Sequence, residues 1–272
     1  MLKSLVIILF VLVFSSCSKK EPIYEPTSKN DGYTIYQEAF VAFEKGDLFF
    51  AQKKFSEAEL SFSVVEYASK SAIMATYCLY GINFYQDALA NIERYLKKYP
   101  ADKNIIYAHY LKAIIYFEQI SDEKKDIEPL LKAINEIEFF LKKYPESEYA
   151  IDLQFKKDLA LNQMAAKELF IAKYYISVKK WIPAINRLKK IVKKYDKTIF
   201  IEEALHRLVE IHYHLGLEEE AKKYAKILGY NYNSSEWFQQ SYKILNKDYI
   251  IPKIEKINNK DNFLKKIIKK IK

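Results

Sequence analysis

Glycine and proline are scarce in this sequence, with five and seven copies among 272 residues. Sheet-rich folds need both residues for their many tight turns, so this scarcity disfavours a β architecture. Half of the residues are apolar, which allows a chain of this length to bury a sizeable core. We therefore expect an all-α fold.

Cysteine is almost absent, since only Cys17 and Cys78 occur. Two cysteines cannot build a disulfide framework. Cys78 lies in the helical run 75–80 and is most simply a small core residue.

Long hydrophobic runs are also lacking, apart from residues 5–14 behind the basic Lys3. This run is shorter than the roughly 20 residues that span a bilayer, and it is typical of a secretory signal. It ends at Ser15-Ser16-Cys17, which resembles the bacterial lipobox, although Phe14 stands where leucine is usual. The resemblance implies a signal peptide over 1–16, lipid on Cys17 and, because Ser18 is not aspartate, the outer membrane. The alternative is an ordinary signal peptide with an incidental cysteine.

The net charge of +9 is concentrated at one end. Residues 250–272 carry eight lysines against two acidic residues, so the body of the chain is nearly neutral. A nucleic-acid binder would carry its positive charge on the folded domain, and an exported protein does not meet the genome. We expect no nucleic-acid partner.

Catalytic and metal-binding patterns are missing. There is no glycine-rich phosphate loop and no Gly-x-Ser-x-Gly motif. His206, His212 and His214 share one predicted helix, but their spacing does not bring ligands onto one face. We expect no enzyme activity, no metal site and no cofactor.

The sequence contains a repeated three-residue motif, which is Lys-Tyr-Pro at 98–100 and 143–145 and Lys-Tyr-Asp at 194–196. Each copy ends 12 positions after an alanine, namely Ala88, Ala133 and Ala184. The constant offset predicts a helix of fixed length, with a small residue where another helix comes close and a proline that ends it. Ala51 and Ala221 anchor two further helices of this kind.

Large apolar residues stand three positions before four of the five alanines: Leu48, Tyr85, Leu130 and Trp181, with Glu218 in the fifth case. Gly46, Asn83 and Gly216 precede three of them in the turn. This pattern resembles the tetratricopeptide repeat, in which two antiparallel helices meet at a small residue. We predict a superhelical array of about five such repeats, with insertions at 121–126 and a long helix or helix pair over 148–179.

The ordered set of features resembles the BamD family of lipoproteins in outer-membrane β-barrel assembly. It comprises the lipobox, the five repeats, Gly46-Asp47, the Lys-Tyr-Pro endings, and Trp181 followed by Asn186-Arg187. The segment 228–237 looks most like alphaproteobacterial members. The resemblance implies a non-enzymatic scaffold at the periplasmic face of the outer membrane. Its partners would be unfolded outer-membrane proteins, a BamA-type barrel protein and other lipoproteins of the complex.

Helical spacing places a row of aromatic and apolar residues on the first helices of the repeats. We predict that this row binds an extended peptide, because rigid amphipathic rings lose little entropy on contact. Its members are Tyr33, Tyr36, Phe40, Phe43, Ile73, Tyr77, Tyr80 and Tyr107. The alternative for each ring is packing between neighbouring helices.

Partner docking is assigned to Trp181, Arg187 and Arg207, the arginines by matching position in the family, with solvated helix charges as the alternative. The predicted layout is a tether over 17–32, substrate-binding repeats over 33–118, docking repeats with a short terminal helix over 119–246, and a basic amphipathic or disordered tail over 247–272. The rival function is another periplasmic repeat lipoprotein, serving cell-wall synthesis, division or secretin assembly.

Overall fold

The fold is seen in a computed structural model that describes residues 31–120 and 126–246. Within these ranges the regular structure is entirely α-helical. The helices are α1 Gly32–Glu44, α2 Leu48–Ser61, α3 Val65–Gly81, α4 Tyr85–Lys98, α5 Ile105–Glu118, α6 Glu128–Lys143, α7 Ala150–Ser177, α8 Trp181–Lys194, α9 Ile201–His214, α10 Glu218–Asn231 and α11 Glu236–Leu245. The predicted all-α class is confirmed.

The helices pack in consecutive pairs, α1 with α2, α3 with α4, and so on to α9 with α10, while α11 packs on the last pair. Four of the pairs are joined by three residues only, which forces the two helices to run antiparallel. These are the predicted helix-turn-helix repeats. The insertion predicted over 148–179 is one long helix, α7.

The five anchor alanines are all completely buried. Each lies three residues into its helix, except Ala133, which lies five residues into α6. A methyl group is the largest side chain that lets the backbones of two helices approach closely, so the alanines mark the contact within each pair.

The short turns share one backbone conformation. Gly46, Asn83, Lys179 and Gly216 have φ angles of +79°, +62°, +55° and +74°. In each turn the next N–H reaches back to a carbonyl of the preceding helix at 2.8–2.9 Å, as in a Schellman ending. The glycines and the asparagine were predicted in the turn, and Lys179 takes the same left-handed conformation without being a favoured residue for it.

The second helices do not end because of proline. In all five the residue after the helix is aromatic: Phe62, Tyr99, Tyr144, Tyr195 and Tyr232. Its N–H donates to the carbonyl four residues earlier at 2.8–3.0 Å, and its ring is buried or half-buried. The prediction that proline ends these helices is therefore wrong, since three of the five repeats end in the same way without it.

The chain divides into two compact units, one up to Asp102 and one from Lys103. This division falls between α4 and α5, whereas the boundary was predicted after residue 118, at the end of α5; α5 packs on α6 and lies in the second unit. The predicted signal peptide, Cys17, the tether up to residue 30 and the tail lie outside the described residues. Helix α1 begins at Gly32, one residue inside the predicted tether. Across the two described ranges, none of the helices combines the length and hydropathy that a membrane span requires.

Candidate functional site

Aromatic rings form a continuous series through the first unit. Each ring contacts the next, with centroids 5.4–6.5 Å apart, across α1, α3 and the ends of α2 and α4. We call this series the aromatic ladder. In order its members are Tyr67, Phe62, Tyr36, Phe40, Phe43, Tyr77, Tyr80 and Tyr85.

Five of the predicted peptide-binding residues are thus brought together in one structure, since Tyr36, Phe40, Phe43, Tyr77 and Tyr80 are consecutive in the ladder. The two helices that carry them, α1 and α3, meet at the contact between the rings of Phe43 and Tyr77, 5.9 Å apart. Helical spacing was sufficient to find these residues, because those on α1 share one face of that helix and those on α3 share one face of the other.

Three ladder residues were missed by the sequence reasoning. Phe62 and Tyr67 flank the turn between α2 and α3, and Tyr85 begins α4. Counting along the first helices cannot reach Phe62 and Tyr85, because both lie outside those helices. Tyr67 lies in the first turn of α3 itself, so the same count could have been extended to it. Phe62 had a usable signal, since it occupies the position of the repeated tyrosine in the later repeats.

The ladder is only partly exposed. Phe40 and Tyr77 each keep more than a third of their surface open, whereas Tyr36, Phe43 and Tyr80 are half-buried. The ring of Tyr36 also contacts the core, because it meets the fully buried Phe55 at 5.3 Å. The accessible centre of the ladder is therefore Phe40 and Tyr77.

Ile73 is not part of this surface, since it is 6% exposed. It shares a face of α3 with Tyr77, but α3 is covered by α2 on one side and α4 on the other. Spacing along a helix shows which face a residue lies on, but it does not show whether a neighbouring helix buries that face. The prediction for Ile73 is therefore wrong.

Tyr33 and Tyr107 stand apart from the ladder. Tyr33 lies in the first turn of α1 and is 55% exposed. Tyr107 belongs to the second unit, where its ring packs with those of Tyr110 and Tyr149 at 6.1 and 5.8 Å. It therefore forms part of a separate aromatic group.

The ladder can hold apolar and aromatic side chains, and its tyrosine hydroxyls offer hydrogen bonds to a peptide backbone. A positive charge stands near one end, because Lys70 Nζ lies 5.5 Å from the centroid of the Tyr36 ring. Groups of these kinds are suited to binding a peptide by apolar contact and hydrogen bonding.

The predicted docking residues are each engaged within the second unit. The Trp181 ring packs against His214 with centroids 4.9 Å apart. Arg187 Nη1 donates to Glu168 Oε2 at 3.1 Å, and that carboxylate is almost fully buried. The side chain of Arg187 remains 40% exposed.

Arg207 is held more tightly. It lies between Glu203 and Glu210 on the same helix, with Nη1 2.7 Å from Glu210 Oε2, and its guanidinium lies 5.6 Å from the Trp237 ring. Burial alone would raise the pKa of Glu210, but hydrogen bonds from His206 and Arg207 outweigh it and lower the pKa to about 2. Arg207 therefore pairs mainly within α9 and contacts α11 through the Trp237 ring.

Nucleophilic and metal chemistry have little support in the part of the chain described. Burial raises the pKa of the Cys78 thiol to about 12, so the reactive thiolate is scarce at neutral pH. His206 and His212 are buried and hydrogen-bonded to Ser241 Oγ and the Leu208 carbonyl. Among residues 31–120 and 126–246, no three acidic, histidine or cysteine side chains are grouped to hold a metal ion.

Comparison of the sequence with known proteins identifies its family. A family model described as an outer membrane lipoprotein, YfiO, matches residues 28–228. The outer membrane protein assembly factor BamD of Caulobacter vibrioides is 34% identical over 238 residues, which cover 87% of this chain and 78% of that protein. The chain belongs to the BamD family.

Further BamD proteins agree. That of Rickettsia prowazekii is 33% identical over 229 residues, covering 82% of this chain and 91% of its own length. Both organisms are alphaproteobacteria, so the predicted resemblance to alphaproteobacterial members is confirmed. A solved structure, that of the type IV pilus biogenesis factor PilW, is 16% identical with a TM-score of 0.27, and the alignment covers 79% of this chain and 100% of that chain.

Proposed function

We propose that this BamD-family chain is a non-enzymatic scaffold lipoprotein of the machinery that assembles β-barrel proteins in the outer membrane. The observation that carries the proposal is the family match over most of the chain. The aromatic ladder supports it, because a scaffold of this kind needs a surface that accepts chains before they fold.

The ladder is the proposed site for unfolded outer-membrane proteins. Their strands alternate apolar and polar residues, so an extended segment presents side chains every second position to a row of rings. Phe40 and Tyr77 supply open aromatic surface at the centre of the row. Tyr33, exposed in the first turn of α1, is available to a longer segment.

The second unit is the proposed docking region for a BamA-type barrel protein and other lipoproteins of the complex. Arg187 is the best placed of the predicted contacts, because it is partly exposed while Glu168 fixes its position. An arginine held in this way can offer its free N–H groups to a partner's carboxylate. Trp181 and Arg207 would act mainly by shaping the surface around it.

The anchor is the proposed lipid on Cys17, which would hold the chain at the periplasmic face of the outer membrane. One acyl chain gives only marginal membrane binding, and further chains make attachment stable. Replacing Cys17 with alanine should release the protein from membranes, as seen by fractionation.

A crosslinking experiment tests the substrate site. We expect Phe40→Ala and Tyr77→Ala to weaken photocrosslinking to an unfolded outer-membrane protein while far-UV circular dichroism stays unchanged. Phe49→Ala is the matched control, because Phe49 is 63% exposed on α2 and outside the ladder. Equal loss in the control would reject the ladder as the binding site.

Capture of the protein after mild solubilisation tests the assignment to the complex. A BamA-type barrel protein should be recovered with the wild type and less of it with Arg187→Ala. Recovery of cell-wall enzymes without any barrel protein would favour the rival function.

A further inference from the structure

The turn between α2 and α3 exposes an unusual amount of apolar surface. Leu60 is 82% exposed, Val64 53%, Val65 66% and Tyr67 47%. Four large apolar side chains thus face solvent within eight residues. Exposed apolar surface of this density on a soluble domain marks a contact with a partner or a membrane.

The other repeats show that the fold does not require this surface. Leu60 stands nine residues after its anchor alanine, where the next three repeats carry the exposed lysines Lys97, Lys142 and Lys193. The last repeat carries Tyr230 there. The fold therefore accepts a solvated lysine at this position, so the repeat structure does not explain why Leu60 is an exposed leucine.

The apolar turn lies beside the start of the described chain. A Cβ on Gly32, the first residue of α1, would lie 2.9 Å from Phe62 Cδ1, so the beginning of α1 is packed against the turn. Thirteen residues lie between Cys17 and Asp31, which caps α1, so fourteen residue steps join the two. Fully extended, they span at most about 50 Å. A lipid on Cys17 would thus keep the start of α1, and the turn packed against it, within about 50 Å of the bilayer.

We propose that the turn between α2 and α3 is a second membrane contact, in which Leu60, Val64 and Val65 enter the interfacial region of a phospholipid bilayer. This inference rests on the lipid anchor of the proposed function. Aliphatic side chains at the tip of a turn, with the amphipathic Tyr67 beside them, suit the boundary between headgroups and acyl chains. The anchor lets such a small contact form, because it makes the encounter with the bilayer intramolecular.

Charge distinguishes this contact from a general attraction to anionic lipid. Glu57 and Glu66, on either side of the turn, are acidic, so anionic headgroups would not draw it to the surface. We therefore expect the contact to persist at high salt, unlike binding through the lysine-rich segment 250–272.

The test places a fluorescent label on the turn of the full lipidated protein. A label on Leu60→Cys reports depth in vesicles of phosphatidylethanolamine and phosphatidylglycerol that contain a lipid with an acyl-chain nitroxide quencher. Cys78 does not interfere, because it is buried and its thiol stays protonated. The matched control is Phe49→Cys, which is also exposed and lies at the opposite end of α2.

We expect blue-shifted emission and strong quenching for the label at 60 and little change for the label at 49, at low and high salt. In a second variant, labelled at Val64→Cys, the substitution Leu60→Lys should reduce the quenching while helicity stays the same, since lysine is the residue of the other repeats.

Equal quenching at both sites, or none at 60 in protein that floats with the vesicles, would reject the turn contact and leave the anchor intact. Failure to float would reject both. An emission shift at 60 that needs an added protein and not vesicles would also overturn the proposal, because the turn would then be a protein interface.

Discussion

Tyr99 Oη donates a hydrogen bond to Glu59 Oε1 at 2.9 Å, which joins the end of α4 to α2 in the neighbouring repeat. The same carboxylate accepts two bonds of 2.6 Å from Arg94 and one of 3.0 Å from Lys98. Its side chain is 2% exposed, whereas both cations keep almost half of their surface in solvent. The repeated Lys-Tyr ending is thus used here to satisfy a buried charge between two repeats.

Replacing Glu59 with glutamine should lower the free energy of unfolding by about 1–3 kcal/mol, because the buried Tyr99 hydroxyl and two partly exposed cations lose a charged acceptor. Arg94 and Lys98 can turn into water, which keeps the loss from being larger. Urea denaturation of the purified protein measures the change. Glu57→Gln is the control, since Glu57 is 41% exposed and we expect less than about 0.5 kcal/mol there. Equal effects would show that the burial of Glu59 adds nothing.

The cluster also predicts a pH dependence. Burial alone would raise the pKa of Glu59, but hydrogen bonds from Arg94, Lys98 and Tyr99 outweigh it and lower the pKa below its usual value. The folded state then binds this proton less readily than the unfolded state, so the stabilisation is present above the unfolded pKa of about 4.5 and is lost as pH falls below it. Denaturation curves at several acidic pH values should show a steeper loss in the wild type than in Glu59→Gln. Parallel curves would contradict this.

The way the second helices end gives a different prediction. Tyr144→Ala should cost about 2 kcal/mol, because the ring packs on Phe140 and His109 with centroids 5.3 and 5.6 Å apart. Pro145→Ala should change stability by less than about 1 kcal/mol, since other repeats end without proline. Thermal or urea unfolding of the two variants compares neighbouring positions directly. A larger loss from Pro145→Ala would restore proline as the terminator.

A substitution in the turn before α8 should increase the stability of the protein. Lys179 has a φ of +55°, a conformation that costs a residue with a Cβ about 1 kcal/mol and that glycine adopts freely. Lys179→Gly should therefore stabilise the protein by up to about 1 kcal/mol. Lys179→Ala is the control and should not stabilise it, because alanine removes the same charge but keeps the Cβ that the left-handed conformation disfavours. A gain from both variants would point to the loss of charge rather than to the backbone.

Some features of the fold and of the candidate site can be predicted from the sequence, and others depend on tertiary packing. The anchors such as Ala88 and the helix starts such as Trp181 follow from local spacing and size, which the sequence displays directly. Ile73 was misplaced because cover by a neighbouring helix is a tertiary property. The predicted set of rings was incomplete because Phe62 and Tyr85 lie outside the first helices, and because the count along α3 was not extended to Tyr67 in its first turn. The carboxylates that hold Arg187 and Arg207 come partly from another helix and partly from the same one, and the sequence does not show which would pair.

The ladder itself separates folding from binding. Tyr36→Ala should cost about 3 kcal/mol, because its ring contacts the buried Phe55 at 5.3 Å and Phe62 at 6.4 Å. Phe40→Ala should cost only about 1 kcal/mol, because Phe40 is 36% exposed and its truncation removes less buried apolar surface than truncation of Tyr36. Urea denaturation of both variants should be read beside their crosslinking to unfolded substrate. If Phe40→Ala loses crosslinking at nearly full stability, the exposed rings bind substrate; if crosslinking falls only as stability falls, as in Tyr36→Ala, the rings serve packing alone.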